Sequence, residues 1–138
     1  MRIQDVIIRY GDSLDAGDVD GVLRCFRSDA TVSYRDGEIV VRGHDQLREL
    51  LESGRGGRLP AIDPDVASTH CMTNIRVVLD GSSAQCSTTA HVTMVGTGPR
   101  NGVTLQNGVR YTDELVRNGE EWLISRRSHR TVWSIESE

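Results

Sequence analysis

From residue 68 onward the chain reads as strand after strand, and this run constrains the fold more than any other feature. Segments 69–79, 84–95, 103–117 and 121–135 carry the alternation and β-branched residues of strands. They are separated by Asp80-Gly81, the 96–102 loop and Asn118-Gly119. Short turns between successive strands make them antiparallel neighbours. Strands this long twist as they pair, so the sheet they form must curl.

The first half supplies what covers that sheet. Ile3, Val6, Ile7, Tyr10 and Leu14 recur at helical spacing, which predicts an amphipathic helix stopping at Asp15-Ala16-Gly17. Asp18 is placed to cap a second, short helix carrying Val19, Val22, Leu23 and Phe26. Residues 31–34 and 38–41 read as two short strands joined across Asp36-Gly37. A third helix over 43–51 turns Leu47, Leu50 and Leu51 inward. Residues 53–67, rich in Gly, Pro and Asp, read as a long loop, either a lid or a surface excursion. The order predicts an α+β fold: a cone-shaped barrel with three N-terminal helices on a strongly curved, mainly antiparallel sheet. Helices cannot fill the whole of a bent sheet, so an apolar pocket is left in its mouth, where small molecules bind.

At 138 residues the chain is expected to form a single domain, 1–138, that needs no staple. A net charge of −4, with the arginines scattered except at Arg126, Arg127 and Arg130, speaks against a nucleic-acid partner. No apolar run is long enough to span a membrane. The opening residues lack the features of a signal peptide and read as the first helix. Cys25, Cys71 and Cys86 are odd in number and form no CxxC pair, so all three are expected as reduced core residues of a cytoplasmic protein. His44, His70, His91 and His129 show no metal-ligand spacing, and the glycines at 54, 56 and 57 do not make a phosphate loop. The expectation is a protein with neither metal nor cofactor.

The residues that could carry chemistry are Tyr10 and Asp15 near the end of the first helix, Tyr34, His70 in STHCMTNIRV, and Arg127. Asp15 reads equally as a solvated turn carboxylate. Strict alternation places His70 with Met72 and Asn74 on the more polar side of its strand, although a bulge would swap the sides.

Four stretches carry a likeness: RYGDSLDAGDVDGVLRCFRSDATVSYRDG (9–37), VVRGHDQLRELL (40–51), STHCMTNIRVVLDGSSAQC (68–86) and GVRYTDELVRNGEEWLISRR (108–127). In this order and spacing they resemble the SnoaL-like branch of the nuclear-transport-factor-2-like superfamily. Within it the pattern is most similar to scytalone dehydratase, bile-acid 7α-dehydratase and hexachlorocyclohexane dehydrochlorinase, which are cofactor-free lyases. The resemblance implies that Asp15 holds His70 and that His70 takes or relays a proton. Tyr10 falls where the bile-acid enzyme has a tyrosine five residues before its aspartate, and Tyr34 matches a substrate-facing tyrosine of scytalone dehydratase, nineteen residues after the aspartate. Arg127 matches an arginine of the last strand. Met72, Asn74, Tyr111, His91 and Trp133 are the expected substrate contacts. The chain departs from scytalone dehydratase at Met94, where that enzyme has a second strand histidine, and at Val109 and Tyr111, where it has Ser and Asn. These departures point away from scytalone itself.

The expected function is a cofactor-independent dehydratase, isomerase or cyclase of secondary metabolism, acting on a small hydrophobic molecule with an Asp–His dyad as general base. The alternatives are the non-catalytic small subunit of a ring-hydroxylating dioxygenase and a small-molecule binding module. A homo-oligomer, dimer or trimer, is expected because the sheet face away from the helices lacks the charges of a solvated surface.

Overall fold

A computed structural model describes residues 2–54 and 59–137. Gly56 and Gly57, and the part of the 53–67 loop at 55–58, lie outside the described residues. Helix α1 (Ile3–Asp15) is followed by α2 (Val19–Leu23), β1 (Phe26–Tyr34), β2 (Ile39–Arg42) and α3 (Gly43–Ser53). Strands β3 (Val66–Asp80), β4 (Ser83–Gly96), β5 (Thr104–Asn118) and β6 (Glu121–Ser137) follow among the described residues. All six strands form one curved sheet in the order β2-β1-β6-β5-β4-β3. Every pairing is antiparallel except β1 with β6, which is parallel. The three helices pack on this mainly antiparallel sheet, which is the expected α+β class.

Local chemistry explains the helix ends. Asp18 accepts the Gly21 N–H at 2.9 Å and so caps α2. The apolar stripe of α1 is fully buried at Ile3, Val6, Ile7, Tyr10 and Leu14. The β1–β2 turn is wider than the expected two-residue hairpin: Arg35, Asp36 and Gly37 all take positive φ, at 52°, 57° and 93°.

Alternation along β4 is strict, with Ala84, Cys86, Thr88, Ala90, Val92 and Met94 buried on one side of the strand. Strand β3 is different. The pairing register slips between Thr73 and Arg76, and Asn74 sits at φ 49°. This bulge swaps the sides of the strand. Ser68, His70 and Met72 face inward before it, and Ile75 and Val77 face inward after it. Cys71 therefore points outward and is exposed, which corrects its expected place in the core; Cys25 and Cys86 are buried. A second slip, between Gly108 and Val109, rotates β6 after Thr131. It sends Trp133 to the outer face, where its indole lies against Gly108; a side chain at 108 would collide with it.

Candidate active site

The site begins at the open edge of the sheet. Strand β3 is the last strand, so one side of its backbone has no strand partner. An uncovered edge leaves hydrogen-bonding groups unpaired, and the end of α1 covers this one. The His70 backbone N–H donates to Asp15 Oδ2 at 2.8 Å. The other carboxylate oxygen, Oδ1, lies 2.6 Å from His70 Nδ1 and accepts the Ser68 hydroxyl at 3.0 Å. Gly11 makes this approach possible: a Cβ there would come within 2.8 Å of Met72 Cε and 3.2 Å of His70 Cβ.

The electrostatics of the pair follow from burial. The His70 side chain is 5% exposed and that of Asp15 23% exposed. Desolvation pushes the His70 pKa below its ordinary value of 6.5; Asp15 opposes this, and Arg127 adds to it. The imidazole is therefore neutral at neutral pH. With its Nδ1 hydrogen directed at Asp15, Nε2 carries the free lone pair.

His70 lines a cavity of about 440 Å³ between the sheet, α1, α3 and residues 59–62. Leu14, Leu50, Leu51, Leu59, Val92 and Met94 give it apolar walls. Tyr10 and Tyr34 line it as well, and their hydroxyls are 2.9 Å apart. Burial raises the pKa of Tyr34 and of Tyr111, a third lining residue, well above 10, so both hydroxyls keep their protons. A protonated hydroxyl can donate to an oxygen on which charge collects.

Arg127 does not line the cavity. Its guanidinium is fully buried and donates twice to Asp113, at 2.7 and 2.9 Å. Its central carbon lies 4.2 Å from the ring centroids of both Tyr10 and Tyr111. The expectation that Arg127 carries chemistry in the site is corrected: the charge is already paired, and the rings of Tyr10 and Tyr111 lie against it.

The expected substrate contacts divide. Tyr111 lines the cavity. Met72 faces inward but packs on α1 at Gly11. Asn74 is the exposed bulge residue. His91 is exposed on the outer face, where its ring stacks edge-on to Trp133 with centroids 5.1 Å apart. These four placements correct the expectation for Met72, Asn74, His91 and Trp133; the two bulges account for Asn74 and Trp133, and the regular alternation of β4 for His91.

His129 was missed as a site residue. It lines the cavity with Asn107, Thr131 and Ser134. The signal was present, because alternation from the buried Arg127 puts His129 and Thr131 on the same side of β6. Among the described residues, no group of three His, Cys, Asp or Glu side chains is arranged to hold a metal ion. No helix among them is long and apolar enough to cross a membrane.

Comparison with known proteins gives a consistent result. The model of the SnoaL-like domain matches residues 1–128. An uncharacterised protein of Mycobacterium tuberculosis H37Rv, Rv2910c, is 28% identical over 127 residues, which are 92% of this chain and 81% of that protein. A scytalone dehydratase-like protein of Novosphingobium aromaticivorans superposes with a TM-score of 0.80 at 22% identity, covering 96% of this chain and 83% of its own. A hexachlorocyclohexane dehydrochlorinase, LinA type 2, superposes with a TM-score of 0.81 at 14% identity, covering 99% and 86%. At these identities the two structures show a shared fold.

Proposed function

This chain belongs to the SnoaL-like domain family, and from that premise we propose that it is a cofactor-independent acid–base enzyme acting on a small hydrophobic molecule. The reaction is a dehydration, isomerisation or cyclisation that begins with removal of a proton from carbon. One observation carries this reading: a neutral, cavity-lining imidazole is held through Nδ1 and through its own backbone by a single carboxylate.

His70 Nε2 takes the proton from a carbon next to a carbonyl or a leaving group. Asp15 keeps the ring in the productive tautomer and stabilises the imidazolium that results. General-base catalysis of this kind is worth about 10²–10⁴-fold. The hydroxyl pair of Tyr10 and Tyr34 donates to the oxygen that gains charge, and the proton on His70 then returns to product or leaving group. Arg127 acts at one remove, by holding Tyr10 and Tyr111 in place. The two structural relatives are named for dehydration and dehydrochlorination, both eliminations, which supports this class.

Proton abstraction is detectable before the physiological substrate is known. The protein is incubated in D₂O with a panel of cyclic ketones and β-hydroxy ketones. Exchange at the carbon next to the carbonyl, and loss of water, are followed by NMR and mass spectrometry. Wild type is expected to exchange or eliminate at least one class, and His70→Gln to do neither while melting like wild type. Equal rates in the two proteins would overturn the proposal, and ligand binding without exchange in any class would favour a binding module.

A further inference from the structure

The cavity holds a second imidazole that the chemistry above does not use. His129 stands on β6 between two tyrosines, its ring centroid 5.2 Å from that of Tyr34 and 5.4 Å from that of Tyr111. Its Nδ1 is shut off from the cavity and has no partner of hydrogen-bonding geometry. That leaves Nε2 as the ring nitrogen that a cavity occupant meets, and a neutral ring with its hydrogen on Nδ1 presents an acceptor there.

The neighbours of His129 form a pattern. In the β5–β6 pairing, Tyr111 stands opposite His129, Val109 opposite Thr131, and Asn107 opposite Ser134. His129, Thr131, Asn107 and Ser134 thus form a polar stripe along one wall. Leu50, Leu51 and Leu59 from the helical side, with Val92 and Met94 of β4, present apolar surface. An occupant that fits such a site has an apolar body and carries its oxygen functions along one edge.

We propose that His129 is a specificity-determining residue whose Nε2 accepts a hydrogen bond from a hydroxyl group on the substrate, so that the substrate is an uncharged, hydroxyl-bearing ring compound. The inference rests on the reading of this cavity as the substrate site. The hydroxyl is a different group from the carbon acid that faces His70, because the two imidazoles project from β3 and β6, with two strands between them in the sheet. Charge supports neutrality of the ligand: the buried Arg127 is already paired with Asp113, and the exposed Arg35 that lines the cavity faces Glu38 at 3.9 Å. Burial also holds the His129 pKa down to about 4, with smaller effects of Arg127 and His70 in the same direction and of Asp36 against it. The ring is therefore an acceptor and not a cation at neutral pH.

The test uses 2-naphthol and naphthalene as probes, which differ by one hydroxyl. Binding to wild type, His129→Phe and His70→Gln is measured, and the ring nitrogens of ¹⁵N-histidine-labelled wild type are followed by NMR. A buried neutral hydrogen bond is worth about 1 kcal/mol net, so the preference for 2-naphthol over naphthalene should fall about fivefold in His129→Phe. It should stay unchanged in His70→Gln, which separates this inference from the catalytic one. In wild type, 2-naphthol should move the His129 Nε2 resonance upfield, and naphthalene should not. An unchanged preference in His129→Phe overturns the proposal. So does an unshifted His129 at the solubility limit of 2-naphthol, a readout that needs no variant to fold.

Discussion

The Asp15 carboxylate holds His70 at two points, the ring Nδ1 at 2.6 Å and the backbone N–H at 2.8 Å. One side chain thereby closes the edge of the sheet and fixes the orientation of the imidazole. Folding and chemistry share the same contact, so the two effects of removing it must be measured apart.

Asp15→Asn keeps the size of the side chain but exchanges one acceptor for a donor. Turnover is expected to fall by roughly 10³-fold or more, because the amide favours the wrong imidazole tautomer. Ser68→Ala removes only the hydroxyl that donates to Oδ1, a loss of about 1 kcal/mol and hence about fivefold or less in rate. Rates for both variants, read beside their melting curves, test the order. A larger loss in Ser68→Ala than in Asp15→Asn would contradict the assignment.

Arg127 and Asp113 are a buried pair whose separation is costly. Arg127→Met leaves the Asp113 carboxylate charged and unpaired, at a cost of about 3–5 kcal/mol. For a chain of this length that lowers the melting temperature by about 10 °C or more. Arg127→Met combined with Asp113→Leu should recover most of the loss, since an apolar pair of similar volume carries no such penalty. Calorimetry of the three proteins decides it.

Acid should weaken both activity and fold. His70 and His129 have pKa values below 6.5 in the folded chain, the latter at about 4. Between these values and 6.5 the unfolded chain binds more protons than the native one, so stability rises with pH across that window. His129 alone contributes about 3 kcal/mol that is present above pH 6.5 and lost as the pH falls to about 4. Chemical denaturation across pH 4–8 should show this slope, and His129→Phe should flatten it. The rate, which needs neutral His70, should stay level above pH 6.5 and fall only below it.

The outer face of the sheet predicts association between copies. His91, Gly108 and Trp133 stand in one row across β4, β5 and β6, and Thr93, Gln106 and Ile135 in the next. Trp133 is 38% exposed and Ile135 57%, with no charged residue in either row. A patch of this character favours a protein partner over water. Light scattering should give a dimer or trimer at micromolar concentration, and Trp133→Glu should shift it toward one chain. A wild-type mass of one chain, unchanged on tenfold concentration, would refute this.

Sequence alone determined the order of elements and the class of fold. Helical spacing in α1, the Asp18 cap and the strand–turn rhythm after residue 68 are local properties, readable within a few residues of each position. The pairing of Asp15 with His70 was not legible in spacing or alternation and came from family likeness, because 55 residues separate the partners. Tertiary structure decided which side each strand shows to the cavity. The bulge at Asn74 and the register slip beside Val109 invert alternation midway, so Ile75 turns inward, Trp133 turns outward, and Cys71 lies outside. It also decided the state of Arg127, whose charge is spent on Asp113, fourteen residues earlier on the neighbouring strand. Bulges and buried ion pairs depend on what the adjacent strand presents, and that information is absent from any short window of sequence.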